Sequence, residues 1–244
     1  MVGMIHVEDL VKRYGAITAV AGLSFTARPG RVTGFLGPNG AGKTTTLRVL
    51  LGLDSPTGGS ATIGGVPFRS HRRGLRHAGA LLDAQQAHPG RTAAVHLAAL
   101  ARGNGLSRRR VDEVLGETGL SGVAGRRVGT FSLGMRQRLG VATALLGDPP
   151  VLIFDEPVNG MDPEGVRWAR GLFRRLAAEG RTVFLSSHLI GEMAATADEL
   201  VVVGQGRLLA CGPVTELTGS AGSLEEAFFA LTEGSVDHRA GGAR

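Results

Sequence analysis

Short apolar runs alternate with stretches of helical period along most of this chain. Runs of β character fall at residues 5–7, 24–27, 32–36, 61–63, 80–82, 151–154, 182–186, 200–203 and 208–211. Helical spacing of apolar positions recurs at 43–51, 95–101, 108–118, 133–146, 163–179 and 189–196. Asp162-Pro163-Glu164 marks the clearest helix start, with a capping acid, a first-turn proline and a second acid at the helix's positive end. Residues 151–154 are apolar on both faces, as a central parallel strand is. The alternation predicts an α/β core. It is interrupted once, by residues 87–146, which read as almost wholly helical and predict a lobe inserted into that core. No internal repeat is visible, so the expectation is a single domain over 1–244. Residues 237–244 read as a frayed tail.

Composition narrows the class. A chain of 244 residues with 43% hydrophobic and 20% charged residues is expected to be an ordinary soluble globular protein with ample core. Its apolar runs fall far short of the roughly 18 residues that cross a bilayer. The first nine residues bring two acids and no apolar stretch, so no secretory leader is expected. The single cysteine, Cys211, cannot form an internal disulfide, which fits a reducing cytoplasm. The net charge is +6, and Lys12 and Lys43 are the only lysines, so the excess is carried by arginine. The clusters Arg72-Arg73, Arg108-Arg109-Arg110 and Arg126-Arg127 lack interleaved aromatics, so stacking on bases has no platform and no nucleic-acid partner is expected. They read as solvated arginines, with a role against lipid head groups left open.

Candidate chemistry begins at Gly37-Pro38-Asn39-Gly40-Ala41-Gly42-Lys43-Thr44, between the strand 32–36 and a helix. It matches the G-x-x-x-x-G-K-[ST] phosphate loop in the strand–loop–helix context its mechanism needs. Glycines let successive N–H groups face an anion, and the helix adds its positive end. Lys43 brings a point charge to the terminal phosphates, while the Thr44 hydroxyl is a Mg²⁺ ligand; Thr45 adjoins the same first turn. The apolar strand 151–154 then runs into Asp155-Glu156. Strand ends beside a phosphate loop face the ligand crevice. There Asp155 can hold the Mg²⁺ shell, and Glu156 can polarise an attacking water.

Three more segments sharpen the reading. Phe131-Ser132-Leu133-Gly134-Met135-Arg136-Gln137-Arg138 resembles the L-S-G-G-Q signature of ATP-binding-cassette (ABC) ATPases, with Ser132 a helix N-cap whose first turn forms an anion site. Val158-Asn159-Gly160-Met161-Asp162 resembles that family's D-loop, and Ser186-Ser187-His188 its switch histidine. Tyr14, the only tyrosine, stands where the family places an aromatic against adenine. The resemblance covers essentially the whole chain. It implies a P-loop NTPase (RecA-like) core with an N-terminal antiparallel β subdomain and an inserted helical subdomain. ATP and Mg²⁺ are the implied cofactors, with Glu156 and His188 catalytic. ATP is contacted by residues 37–45 and Tyr14 of one copy and by Ser132, Gly134 and Asp162 of another. Hydrolysis would loosen that pair.

The chain departs from the family pattern in two places. After the strand entering the helical lobe the sequence reads Leu82-Asp83-Ala84-Gln85-Gln86, where the family has a Mg²⁺-binding glutamine. Aligned without gaps, Asp83 takes its place and is preferred; Gln85, two residues on, is the other candidate. In the signature, Leu133 replaces the first glycine and Met135-Arg136 replaces glycine-glutamine. These departures, with Ser223-Leu224-Glu225-Glu226-Ala227-Phe228-Phe229, resemble bacterial exporters of drugs and antibiotics, and Phe228-Phe229 is read as core packing. That branch implies a second ATPase subunit, a homodimer for preference, and a separate integral-membrane permease. The chain itself would be peripheral at the cytoplasmic face of the membrane. The permease's cytoplasmic helix would dock at the helical lobe and the loop 83–92. An importer ATPase, a soluble ABC ATPase acting on nucleic acid or ribosomes, and a small-molecule kinase are the alternatives.

Overall fold

A computed structural model describes residues 3–219 and 222–232. The 237–244 tail lies outside them. In chain order the strands and helices are β1 (Ile5–Tyr14), β2 (Ile17–Ala27), β3 (Val32–Leu36), α1 (Lys43–Leu50), β4 (Gly58–Ile63) and β5 (Ala78–Leu81). They continue with α2 (Ala93–Gly103), α3 (Arg108–Glu117), α4 (Leu133–Leu145), β6 (Val151–Asp155), α5 (Pro163–Ala178) and β7 (Thr182–Ser187). The last are α6 (Ile190–Thr196), β8 (Glu199–Gly204), β9 (Arg207–Pro213), α7 (Val214–Thr218) and α8 (Leu224–Thr232).

The strands form two sheets. One is antiparallel, in the order β2-β1-β4; the other has six strands, β5-β6-β7-β3-β8-β9, parallel except for β9. Strands β3, β6 and β7 are buried along their whole lengths, so both faces of this sheet are covered: one by α2–α6, the other by α1 and the antiparallel sheet. Phe25 of β2, Phe35 of β3 and Phe184 of β7 meet with ring centroids 5.3–5.5 Å apart and join the two sheets. Among the described residues no helix is long and apolar enough to cross a membrane.

The segment 87–146 is less helical than its sequence suggests. Helices occupy Ala93–Gly103, Arg108–Glu117 and Leu133–Leu145; two short 3₁₀ turns, Ser121–Val123 and Val128–Thr130, sit in the loop before α4. The three helices share one apolar cluster with β6, β7 and α5. At the C-terminal end Phe228 is buried, as expected, but its neighbour Phe229 is 56% exposed. Successive residues of a helix point about 100° apart, and here Phe228 falls on the buried side of α8 and Phe229 beyond its edge.

Helix α4 lies so close to β5 that a Cβ on Gly79 would overlap the Ala144 carbonyl oxygen. Both elements are buried and cannot part freely. Gly79→Ala is therefore expected to cost about 1–3 kcal/mol and to lower the thermal midpoint by several degrees. A melting curve checks this, and a variant melting with the wild type would mean the contact relaxes at no cost.

Candidate active site

The loop after β3 is held by close backbone packing. A Cβ on Gly37 would overlap the Val203 carbonyl, and one on Gly42 the Ala19 carbonyl. Gly40 and Gly42 take φ of 81° and 93°, a region where a side chain is strained. Gly206, in the β8–β9 turn, donates its N–H to the Ala41 carbonyl at 3.2 Å. The loop is thus wedged between β2 and that turn before any ligand arrives. It opens on a cavity of about 240 Å³ lined by Ala19, Asn39–Thr45, Asp155 and Glu156. Pro38 borders it through its carbonyl, which accepts from Lys43 Nζ at 3.2 Å; the Gly37 carbonyl accepts from the same ammonium at 2.6 Å. Burial lowers the Lys43 pKa, and the charges of Glu156 and Asp155 pull it back up.

Strand order explains how the carboxylates reach this loop. Strand β7 separates β3 from β6, and Ser186 pairs with Phe35 on one side and Asp155 on the other. Thr44 Oγ1 donates to Asp155 Oδ2 at 2.7 Å, bridging from α1 to β6. Ser186 Oγ donates to Asp155 Oδ1. The Glu156 N–H reaches both the carbonyl and the hydroxyl of Ser186, each at 3.2 Å. These bonds hold Glu156 at φ 49°, a conformation that costs a non-glycine residue about 1–3 kcal/mol. His188 Nδ1 lies 2.9 Å from Glu156 Oε1, while Glu156 Oε2 is buried without a hydrogen-bond partner. A lone buried carboxylate oxygen beside a phosphate-binding loop suits a base that takes a proton from water. Thr44 and Asp155 suit a hard divalent cation, being oxygen donors in contact. Among the described residues, no three His, Cys, Asp or Glu side chains gather as a metal cage.

The other expected ligands lie elsewhere. Ser132 caps α4, its Oγ accepting from Met135 N at 3.2 Å. Asp162 caps α5, its Oδ1 accepting from Gly165 N at 2.7 Å. Ser132, Gly134 and Asp162 line one cavity of about 430 Å³, which shares no residue with the phosphate-loop cavity. A Cβ on Gly134 would meet nothing within 4 Å. Its bareness serves no packing within the chain and leaves room for something brought from outside. Leu133, the departure from the signature, lies across Gly160 of the D-loop.

Tyr14 is 45% exposed at the end of β1, its hydroxyl donating to Asp54 Oδ2 at 2.8 Å and Lys12 Nζ 4.7 Å from its ring centroid. Hydrogen bonds from Arg48 and then Tyr14 hold the Asp54 carboxyl at about 2. Asp83 and Gln85 are exposed in the turn after β5, where Asp83 Oδ1 accepts from Gln85 N at 2.8 Å. Asp83 borders a third cavity, of about 250 Å³, between β5, α2 and α4; neither residue lines the phosphate-loop cavity.

Two residues of this constellation lie in motif segments quoted above, but the sequence gives neither a role of its own. Gln137, buried on α4, donates from Nε2 to the carbonyls of Asn159 (3.3 Å) and Glu156 (3.5 Å). Ser186 is fully buried and serves both carboxylate residues. A serine ending a strand has no distinguishing spacing; only the β6–β7 register reveals it. Ser186→Ala is expected to lower turnover about tenfold or more, since a bond to a charged buried group is worth about 1.5–3 kcal/mol. The Mg²⁺ concentration for half-maximal rate should rise with it. An unchanged Mg²⁺ titration would remove Ser186 from the machinery.

A glycine-rich loop on a buried strand, one strand away from a paired carboxylate end, defines a P-loop nucleoside triphosphatase. Comparison with known proteins narrows this further: residues 20–159 match the ABC transporter family, and the chain belongs to it as an ABC ATPase subunit. It is 42% identical over 209 residues to the bacitracin transport ATP-binding protein BcrA of Bacillus licheniformis, covering 84% of this chain and 68% of that protein. It is 41% identical over 222 residues to the Nod factor export ATP-binding protein I of Ralstonia nicotianae, covering 88% and 68% respectively. A solved structure of an ATP-binding subunit of an ABC transporter superposes with a TM-score of 0.85 at 28% identity, over 94% of this chain and 99% of that one.

Proposed function

We propose that this chain is the ATP-binding and ATP-hydrolysing subunit that powers a separate membrane permease, exporting a drug, antibiotic or similar compound through ATP-driven pairing of two copies. One observation carries the reading: the phosphate-loop cavity and the Ser132–Asp162 cavity are separate surfaces of one chain. Each is half of a nucleotide site, and a two-fold pair brings each half against the other's complement.

In this reading the loop amides and Lys43 hold the β- and γ-phosphates, and Tyr14 packs on adenine. Thr44 and Asp155 hold Mg²⁺, with Asp83 or Gln85 joining them from the turn after β5. The bound cation neutralises charge on the terminal phosphates. Glu156 Oε2 takes the proton of the attacking water, and His188 fixes the other carboxylate oxygen. Ser132 and Gly134 of the second copy close over the γ-phosphate. The permease's cytoplasmic helix docks at the cavity lined by Asp83, Ala84, Ala87, His96 and Leu139. That arrangement keeps the chain peripheral, at the cytoplasmic face. The printed names of the two relatives, bacitracin transport and Nod factor export, support export of an organic compound.

The test uses Glu156→Gln, which should bind ATP and run at twice the chain mass in light scattering. Adding Ser132→Arg should abolish the pair while the chain still binds ATP. A Ser132→Arg protein that paired as well as its parent would overturn the composite site. Comparing Asp83→Ala with Gln85→Ala in Mg²⁺-dependent turnover assigns the metal role; an inert Asp83→Ala, retaining wild-type activity, excludes Asp83.

A further inference from the structure

The positive charge of this protein is concentrated in one stretch. Residues 55–111 carry nine arginines against the single acid Asp83, a net of +8; the whole chain is +6, so everything outside that stretch sums to −2. The structure folds much of this charge into one exposed edge. The segment after β4 is anchored inward by Phe68 and Leu75, which pack on the two apolar clusters, leaving Arg72, Arg73 and Arg76 exposed. Arg76 Nη2 donates to the Gly105 carbonyl at 3.3 Å, so this segment meets the loop between α2 and α3. Exposed Arg102 ends α2 there, and exposed Arg108 begins α3.

For Arg72, Arg73, Arg102 and Arg108 no ion pair among the described residues rewards this arrangement. Three consecutive arginines start α3, where the helix's positive end disfavours cations, and no acid offsets them in that turn. The acids nearby are mostly occupied. Glu113, Glu117 and Asp148 pair with Arg109, Arg110, Arg175 and Arg181. Asp112 lies one turn beyond Arg108 without a guanidinium within 4 Å. No carboxylate among the described residues lies within 4 Å of the guanidinium nitrogens of Arg72, Arg73, Arg76, Arg102 or Arg108. A local electrostatic cost without local gain points to a partner outside the fold.

We propose that this edge contacts the phosphate head groups of an anionic bilayer, giving the ATPase subunit its own hold on the membrane. Guanidinium matches phosphate oxygens two at a time. Residues 69–111 contain no Phe, Tyr or Trp, so single-stranded nucleic acid would lack its stacking surface. The presence of a bilayer rests on the transporter reading above; the charge pattern does not.

Sedimentation of the full chain with vesicles tests the proposal. Vesicles containing phosphatidylglycerol should bring the protein down, vesicles of phosphatidylcholine alone should not, and added salt should release it. Changing Arg72, Arg73, Arg76, Arg102 and Arg108 together to Gln should weaken binding by at least a hundredfold, at about fivefold per charge. The milder pair Arg72→Gln and Arg73→Gln, whose side chains make no hydrogen bond among the described residues, should lose about 25-fold and guards against misfolding of the larger set. ATP turnover without lipid should be unchanged in that pair, so loss of vesicle binding is separable from failure of the nucleotide site. Equal binding to both vesicle types, undiminished binding by the variants, or tighter binding to RNA than to anionic vesicles at the same salt would each overturn it.

Discussion

Glu156→Gln should lower kcat by about 10²–10⁴ while leaving ATP affinity within a few-fold of wild type. The substitution is isosteric, so the left-handed backbone and its bonds to Ser186 survive. An amide oxygen still meets His188 at the Oε1 position, 2.9 Å from Nδ1. What disappears is the carboxylate's buried, unpartnered Oε2 as a proton acceptor. Single-turnover hydrolysis, with nucleotide binding measured in parallel, separates the two effects. A variant hydrolysing ATP at the wild-type rate would mean that another group activates the water.

Lys43→Ala should have the opposite signature, a loss of binding. Lys43 is 7% exposed, and its ammonium is the charge set against Asp155 and Glu156. Without it, two carboxylates would face an incoming polyanion. Truncating one partner of such a buried charged set costs about 2–5 kcal/mol, or roughly 30- to 5000-fold in affinity. The loop should keep its shape, because the contacts of Gly37 and Gly42 with neighbouring backbone do not involve the lysine. Lys43→Arg should not rescue: the carbonyls of Gly37 and Pro38 converge on a single nitrogen, a point-charge site that a planar fork does not fit. Titration of a labelled nucleotide measures both, and wild-type affinity in Lys43→Ala would remove the lysine from the phosphate site.

The parts of the fold legible in the sequence are those where one residue type has one physical use. Strand β6 read directly as an uninterrupted apolar run, β3 and β7 as apolar runs broken or flanked only by glycine and small hydroxyl residues, and Asp162-Pro163 marked the start of α5 to the residue. Strand β1 did not: it runs from Ile5 to Tyr14, but the apolar alternation breaks at Glu8-Asp9. There the register with β2 shifts and Asp9 takes φ 43°, so an irregular strand looked like a strand's end. Strand β2 likewise begins with exposed Ile17 and Thr18, which carry no burial signal. Helices α7 and α8 went unread: α7 is five residues long with none buried, and the segment of α8 was noted only for its Phe228-Phe229 pair.

The site divides the same way. The phosphate loop and the Asp155-Glu156 pair announce themselves because glycine, lysine and paired acids are costly elsewhere, and the structure brings them together around one cavity. The rest depends on which strand lies between which. Ser186 gains its position from the β6–β7 register, and Gln137 from the approach of α4 to the loop after β6. The Asp83–Gln85 turn is exposed and bonded to itself, so residue type alone does not fix its ligand.

The insertion of β7 between the grip and the acid pair limits how this machine moves. Phosphate hold and base are flanks of a single hydrogen-bonded slab, and neither can swing without tearing the strand that carries Ser186. Adjustment on binding must therefore come from the exposed turns hung on the slab, such as the Asp83–Gln85 turn, while the grip and the acid pair keep one fixed spacing.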